Sequence, residues 1–195
     1  MKIITITIQS TNCYLISAKD GWIMIDTGWP DTLPLLLQQL KSNDISVNEI
    51  NHLIITHFHP DHAGLTQNLR DLGTNLLLLD TQIPYMGKLN NFFKKNPKAN
   101  FRDIVLKNCT VLSPMESRDY LKQIDIDGQL LPTPGHSEDS ISLLIDGIGA
   151  FTGDLPALSL MDAYDDPIIF GSWDTIRQHH VPMIYPAHEL PYRID

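Results

Sequence analysis

The alternation of hydrophobic and polar positions divides the chain into short strands and a few helices. The first thirty residues predict three strands, because KIITITI alternates, NCYLISA is apolar, and WIMIDTG ends at an aspartate and a turn glycine. DTLPLLLQQLKSN then has leucines at helical spacing and predicts an amphipathic helix with Asp31 as its N-cap. A β-meander followed by a helix is therefore expected.

The rest of the chain alternates between buried strands and helices. HLIIT and NLLLLD are apolar runs typical of strands that are buried on both faces, and AGLTQNLRDLG between them has helical spacing. Further strands are predicted at GQLLPTPG, SISLLID, GAFTGD and PMIYPAHE, with a helix near WDTIRQHH. This succession predicts an α+β fold in which two sheets pack together with helices outside.

The segment from 80 to 108 differs in character from its surroundings. It holds six of the fourteen basic residues, interleaved with aromatic side chains. We predict that residues 1–195 form a single domain and that this segment is an inserted helical cap. Such a cap could offer Lys94, Lys95 or Arg102 to an anionic group of a substrate, and Phe92 and Phe93 to an apolar part. The favoured interpretation is a solvated helical face with its aromatic side chains in the core.

Composition narrows the classes of partner. The formal net charge of −9 disfavours nucleic acid, whose phosphates require clustered lysine and arginine. The two cysteines, Cys13 and Cys109, cannot form a disulfide framework. The N-terminal stretch lacks the apolar run of a secretory signal, and no run is long enough to span a membrane. We therefore expect a cytoplasmic protein that acts on a small molecule, with no nucleic-acid or membrane partner.

A cluster of potential metal ligands lies in THFHPDHAG. In extended backbone His57 and His59 face the same way, and Asp61 and His62 follow at the turn into the next helix. By chance such a pattern would arise in roughly one chain per thousand of this composition. A metal site is therefore predicted in this loop.

Three further potential ligands follow apolar strands, where a rigid scaffold presents functional groups. They are His136 in TPGHSEDS, Asp154 in FTGD and His188 in YPAHE. Together with the first four they make seven donors, enough for two metal ions.

The order and approximate spacing of these motifs, with the IDTG turn before them, resemble the metallo-β-lactamase superfamily. The resemblance implies a four-layer αββα sandwich. It implies one metal held by His57, His59 and His136, a second held by Asp61, His62 and His188, and Asp154 bridging both. Asp26 of IDTG matches a position beneath the metal site, where a carboxylate steadies a ligand or loop.

The bridging aspartate resembles the glyoxalase II and lactonase-like branches of the superfamily. The expected enzyme is a dinuclear hydrolase that cleaves a small thioester, lactone or ester with a metal-bridging hydroxide. Asp61 is expected to orient that hydroxide or to pass on a proton. Zinc is the metal we expect first, and iron and manganese are alternatives, because imidazole and carboxylate ligands bind all three. The alternatives are a phosphodiesterase or nuclease, a mononuclear iron persulfide dioxygenase, and a non-catalytic metal-binding sensor.

Overall fold

In the computed structural model, which describes residues 1–194, the chain forms two β-sheets packed face to face. The first sheet has six strands in sequential order: β1 (Ile3–Ile8), β2 (Thr11–Ala18), β3 (Gly21–Ile25), β4 (Ile50–Ile54), β5 (Asn75–Leu79) and β6 (Thr110–Leu112). Strands β1 to β3 are antiparallel, which confirms the predicted meander, and β3 to β6 run parallel.

The second sheet comes from the C-terminal half of the chain. Its strands are β7 (Gly128–Pro132), β8 (Ile141–Ile145), β9 (Gly149–Gly153), β10 (Met183–Pro186) and β11 (Tyr192–Arg193). They lie in the order β11-β10-β9-β8-β7, and only β9 and β10 pair in parallel.

Seven α-helices complete the fold. They are α1 (Leu33–Ser42), α2 (Pro60–Ala63), α3 (Thr66–Asp71), α4 (Ile83–Lys95), α5 (Pro114–Gln123), α6 (Met161–Tyr164) and α7 (Pro167–Gln178), counted over residues 1–194. Within that range no helix combines the length and apolar character needed to cross a bilayer.

Three apolar layers hold the sandwich together. The middle layer lies between the sheets, where the ring of Phe151 stands 5.2 Å from that of Tyr14, centroid to centroid. One outer layer packs α1, α3 and α4 against the first sheet, and the other packs α7 against the second through Trp173 and Ile176. Strand β8 is buried along its whole length because it borders two of these layers. The predicted αββα sandwich is therefore confirmed.

Two local predictions need correction. Asp31 does not cap α1: the helix begins after Thr32, and the Asp31 carboxylate instead accepts the backbone N–H of Asn100. The helix predicted near WDTIRQHH begins earlier, at Pro167, where the Asp166 side chain accepts the N–H of Ile168 as an N-cap.

The segment from 80 to 108 contains α4 in its first half, whereas residues 96–109 form turns and irregular structure. Phe93 is 8% exposed and stacks on Phe101, so its ring belongs to the core. Lys94 and Arg102 form ion pairs with Asp103 and Asp71, respectively. Phe93 therefore fits the favoured interpretation, in which the aromatic side chains lie in the core, whereas Phe92 is half exposed.

Candidate metal centre

All seven predicted ligands lie at the carboxyl ends of strands. His57 and His59 lie in the loop after β4, and Asp61 and His62 lie in the short helix α2 that follows it. His136, Asp154 and His188 follow β7, β9 and β10. Both sheets present these ends at the same edge of the sandwich, so residues up to 131 positions apart, His57 and His188, reach one cluster. Open sheets commonly bind ligands at such an edge.

The donor atoms form two groups that share a carboxylate. Atoms of His57, His59 and His136 lie within 4.8 Å of one another, and so do atoms of Asp61, His62 and His188. Asp154 stands between the groups: its Oδ2 lies 3.4 Å from His136 Nε2, and its Oδ1 lies 3.2 Å from His188 Nε2. The sequence-predicted ligand sets are therefore brought together in space.

Several ligand side chains are oriented by hydrogen bonds to groups outside the cluster. His62 Nδ1 lies 2.8 Å from Asp26 Oδ2, which also accepts a bond from the Thr56 hydroxyl. His188 Nδ1 lies 2.8 Å from the carbonyl oxygen of Ser10. With Nδ1 engaged as a donor in each ring, Nε2 is left as the lone-pair atom that faces the cluster.

The loops that carry the ligands are tied to one another. The buried carboxylate of Asp139, in the loop of His136, accepts the backbone N–H of Phe58 at 2.7 Å. Gln82, fully buried, donates to the carbonyls of Ile55 and Asp139. Neither residue was singled out in the sequence, because a buried polar side chain between loops leaves no periodic or motif signal.

The electrostatics of the cluster favour a cation. Burial lowers the pKa of His57 well below its ordinary value, and the neighbouring histidines lower it further, so its ring is neutral as a metal ligand must be. Burial also opposes protonation of His62, but the carboxylates of Asp26 and Asp154 outweigh it and raise its pKa to about 10. The cluster therefore stabilises a positive charge at His62 Nε2, and a metal ion bound there would take the place of the proton and leave the Nε2 lone pair as its ligand. Burial raises the pKa of Asp154, but the histidines around it lower it on balance.

The buried atoms of the cluster fit a metal ion. Over residues 1–194, His57 Nε2, His62 Nε2 and Asp154 Oδ1 have no hydrogen-bond partner, although His62 Nε2 lies 3.2 Å from Asp154 Oδ1. A buried polar atom without a partner costs about 1–3 kcal/mol. Three such atoms that converge are what a divalent cation bound by imidazole and carboxylate would satisfy.

Three pockets border the cluster: a small one of about 220 Å³ is lined by His136, Asp154 and His188, and two larger grooves lie on either side of it. One, of about 590 Å³, borders His59 and is lined by α4 and the loops that carry His59 and His136. The other, of about 1030 Å³, borders His188 and reaches the β1–β2 turn. The cluster is therefore accessible from two sides.

Comparison with known proteins points to one family. The profile of the metallo-β-lactamase superfamily matches residues 6–90. The chain is 28% identical over 191 residues to a β-lactamase-like protein 2 homolog of Caenorhabditis elegans, covering 93% of the chain and 57% of that protein. It is 26% identical over 191 residues to an atrochrysone carboxyl ACP thioesterase of Cryptosporiopsis sp., covering 94% of the chain and 50% of that protein. The chain thus spans about half the length of these relatives.

The fold has a solved counterpart in a metallo-β-lactamase family protein of Thermus thermophilus. The two superpose with a TM-score of 0.73 at 17% sequence identity, over 98% of this chain and 74% of the other. The profile match, the relatives and the αββα fold together support membership of the metallo-β-lactamase superfamily.

Proposed function

We propose that this chain is a metal-dependent hydrolase that uses two divalent metal ions to cleave a small thioester, lactone or related ester. The observation that carries the proposal is the convergence of seven donors in two groups around Asp154, with three of their buried atoms unpaired among the described residues. An ion in each group would satisfy atoms whose burial otherwise costs stability.

The proposed ligand sets follow the two groups. His57, His59 and His136 hold one ion, and Asp61, His62 and His188 hold the other. Asp154 serves both, because each of its oxygens faces a different group. Zinc is proposed as the metal, with iron and manganese as alternatives that metal analysis would distinguish. When bound, a pair of such ions supplies an activated water and a Lewis acid for the carbonyl oxygen.

Asp61 is the proposed proton acceptor. Its Oδ2 lies 3.3 Å from His188 Nε2 and 3.5 Å from His62 Nε2, and its side chain is 19% exposed. It therefore borders both the cluster and solvent. A carboxylate in this position can accept a proton from an attacking water and release it to bulk solvent.

The substrate class rests on the chemistry of the centre and on the relatives. Two divalent ions would outweigh the ligand carboxylates and attract an electron-rich carbonyl or an anion. The relatives include atrochrysone carboxyl ACP thioesterases from Cryptosporiopsis sp. and Emericella nidulans, which supports an acyl thioester. The acidic chain is the reason we propose neither nucleic acid nor membrane as a partner.

The test is proton release by the purified, metal-analysed protein against a panel of acyl thioesters, lactones and phosphodiesters. We expect release from thioesters or lactones, and its loss by at least about a hundredfold in His57→Ala. His188→Ala provides a second variant, since its side chain is 37% exposed and its loss disturbs the core less. His179→Ala, at the end of α7 and outside the cluster, is the matched control.

Other outcomes would replace the proposal. Faster release from phosphodiesters would make the protein a phosphodiesterase. A single iron per chain with oxygen uptake would make it an oxygenase. Tight binding of a substrate without any product, in a protein with two metals, would make it a sensor.

A further inference from the structure

A second feature of the site is the groove between α4 and the ligand loops. Its walls are mainly apolar: Phe58 and Leu89 form buried parts of the wall, and the ring of Phe92 is 50% exposed. The volume of about 590 Å³ lies within the range of small-molecule sites. A ligand that covered the Phe92 ring would remove apolar surface from water, which is favourable.

The groove ends at the candidate metal centre. His59 lines it with one side of its ring, while its Nδ1 lies 3.0 Å from His136 Nε2. Ser137 and Glu138, which follow His136, line the same groove. A molecule in the groove would therefore place one end at the donor cluster and extend the other towards Phe92.

Lys88 and Glu138 of the groove form an ion pair, and the Asp139 carboxylate accepts the backbone N–H of Phe58. Glu138 accepts a hydrogen bond from the Tyr85 hydroxyl at 2.7 Å and lies 3.7 Å from Lys88 Nζ. Lys88 Nζ also lies 4.0 Å from the centre of the Tyr85 ring. With its lysine neutralised in this way, the groove suits an uncharged apolar occupant better than an anionic one.

We propose that this groove binds the apolar acyl arm of the substrate and so selects acyl thioesters or esters with long chains over acetyl compounds. The inference rests on the proposed function for the carbonyl end, because the carbonyl would lie at the metal centre beside His59. The protein would bind the acyl arm through apolar contacts with Phe58, Leu89 and Phe92.

The first test is the dependence of kcat/KM on acyl length, from acetyl to octanoyl thioesters. Each buried methylene raises kcat/KM by about fourfold until the groove is filled. Phe92→Ala lowers kcat/KM for the octanoyl substrate by about tenfold and leaves the acetyl substrate within about twofold. Ile168→Ala, which removes a side chain of similar exposure (54%) from α7, leaves the whole series unchanged.

The second test measures binding without turnover. Non-hydrolysable S-alkyl thioethers of N-acetylcysteamine, from ethyl to octyl, are titrated calorimetrically into the metal-loaded protein. The Kd falls with chain length in the native protein and in Ile168→Ala, and rises for the octyl compound in Phe92→Ala. A Kd independent of length, or unaffected by Phe92→Ala, would overturn the proposal. Length-dependent binding without hydrolysis of any thioester would retain the groove and refute the hydrolase.

Discussion

At the scale of single residues, Asp26 shows how a residue outside the donor cluster orients a proposed metal ligand. It follows β3 with a left-handed φ of 58°, a conformation that aspartate and asparagine tolerate better than most side chains. Its Oδ1 accepts the N–H of Thr56, and its Oδ2 faces His62 Nδ1. It thereby fixes both the ring orientation and the tautomer of a proposed ligand.

We expect Asp26→Asn to weaken metal binding by about 10–100-fold, the usual effect of losing a partner of a ligating histidine. Asparagine keeps the backbone conformation, so the loss is electrostatic. The measurement is competition with a chromophoric chelator. Asp119→Asn, an exposed change on α5, is the control, and equal metal affinity in the two variants would argue against a positioning role for Asp26.

Asp139 holds a backbone group of the ligand loop, the N–H of Phe58. Replacing it with alanine leaves the buried N–H of Phe58 without its acceptor, which costs about 1–3 kcal/mol in the free energy of unfolding. The measurement is urea denaturation of the metal-free protein. Asp139→Asn keeps an acceptor oxygen and should recover most of the loss; a similar deficit in both variants would show that the charge, and not the hydrogen bond, matters.

At the scale of elements, the end of β9 is packed closely against the ligand loop. Gly153 has φ 57°, and a Cβ built there would lie 2.5 Å from Thr56 Oγ1, the hydroxyl that bonds Asp26. A side chain at this position would therefore displace Asp154 or the loop of His57. Gly87, in the interior of α4, has free space around it instead, since a Cβ built there meets no atom within 4 Å.

Two alanine substitutions should consequently shift stability in opposite directions. Gly153→Ala is expected to destabilise by about 2 kcal/mol or more, from left-handed strain and the contact with Thr56. Gly87→Ala is expected to stabilise by about 0.5–1 kcal/mol, because alanine loses less backbone entropy in a helix. Thermal or urea unfolding measures both, and destabilisation by Gly87→Ala would contradict the helix as described.

At the scale of the whole molecule, the proposed metals link the two halves of the sandwich. One sheet supplies His57, His59, Asp61 and His62, and the other supplies His136, Asp154 and His188. An ion bound by ligands from both sheets binds the folded chain and not the unfolded one, so it stabilises the fold by mass action.

Removing metal should therefore lower the melting temperature. At a zinc concentration 100-fold above Kd, the stabilisation is about 2.7 kcal/mol, which corresponds to about 5–10 °C for a chain of this size. Thermal unfolding before and after treatment with a chelator, and again after zinc is restored, measures it. The shift should disappear in His57→Ala and persist in His179→Ala; an equal shift in both would place the zinc elsewhere.

The sequence by itself determined the features that arise from neighbouring residues. Alternation and apolar runs predicted the meander and the two-sheet sandwich, because a strand that is half or fully buried must carry that pattern. Spacing alone marked His57, His59, Asp61 and His62 as potential ligands, since one loop brings them together. His136, Asp154 and His188 were recognised by their positions after strands and by resemblance to a family.

Only the tertiary structure decided which side chains meet across the molecule. Asp26 reaches His62, and Asp139 reaches Phe58, because strands distant in sequence end at the same edge. Phe92 lines a groove while Phe93 packs in the core, a difference of about 100° around one helix that composition does not reveal. Lys94 and Arg102 form ion pairs with Asp103 and Asp71. The order of charges along the chain therefore could not predict which basic side chains face the site.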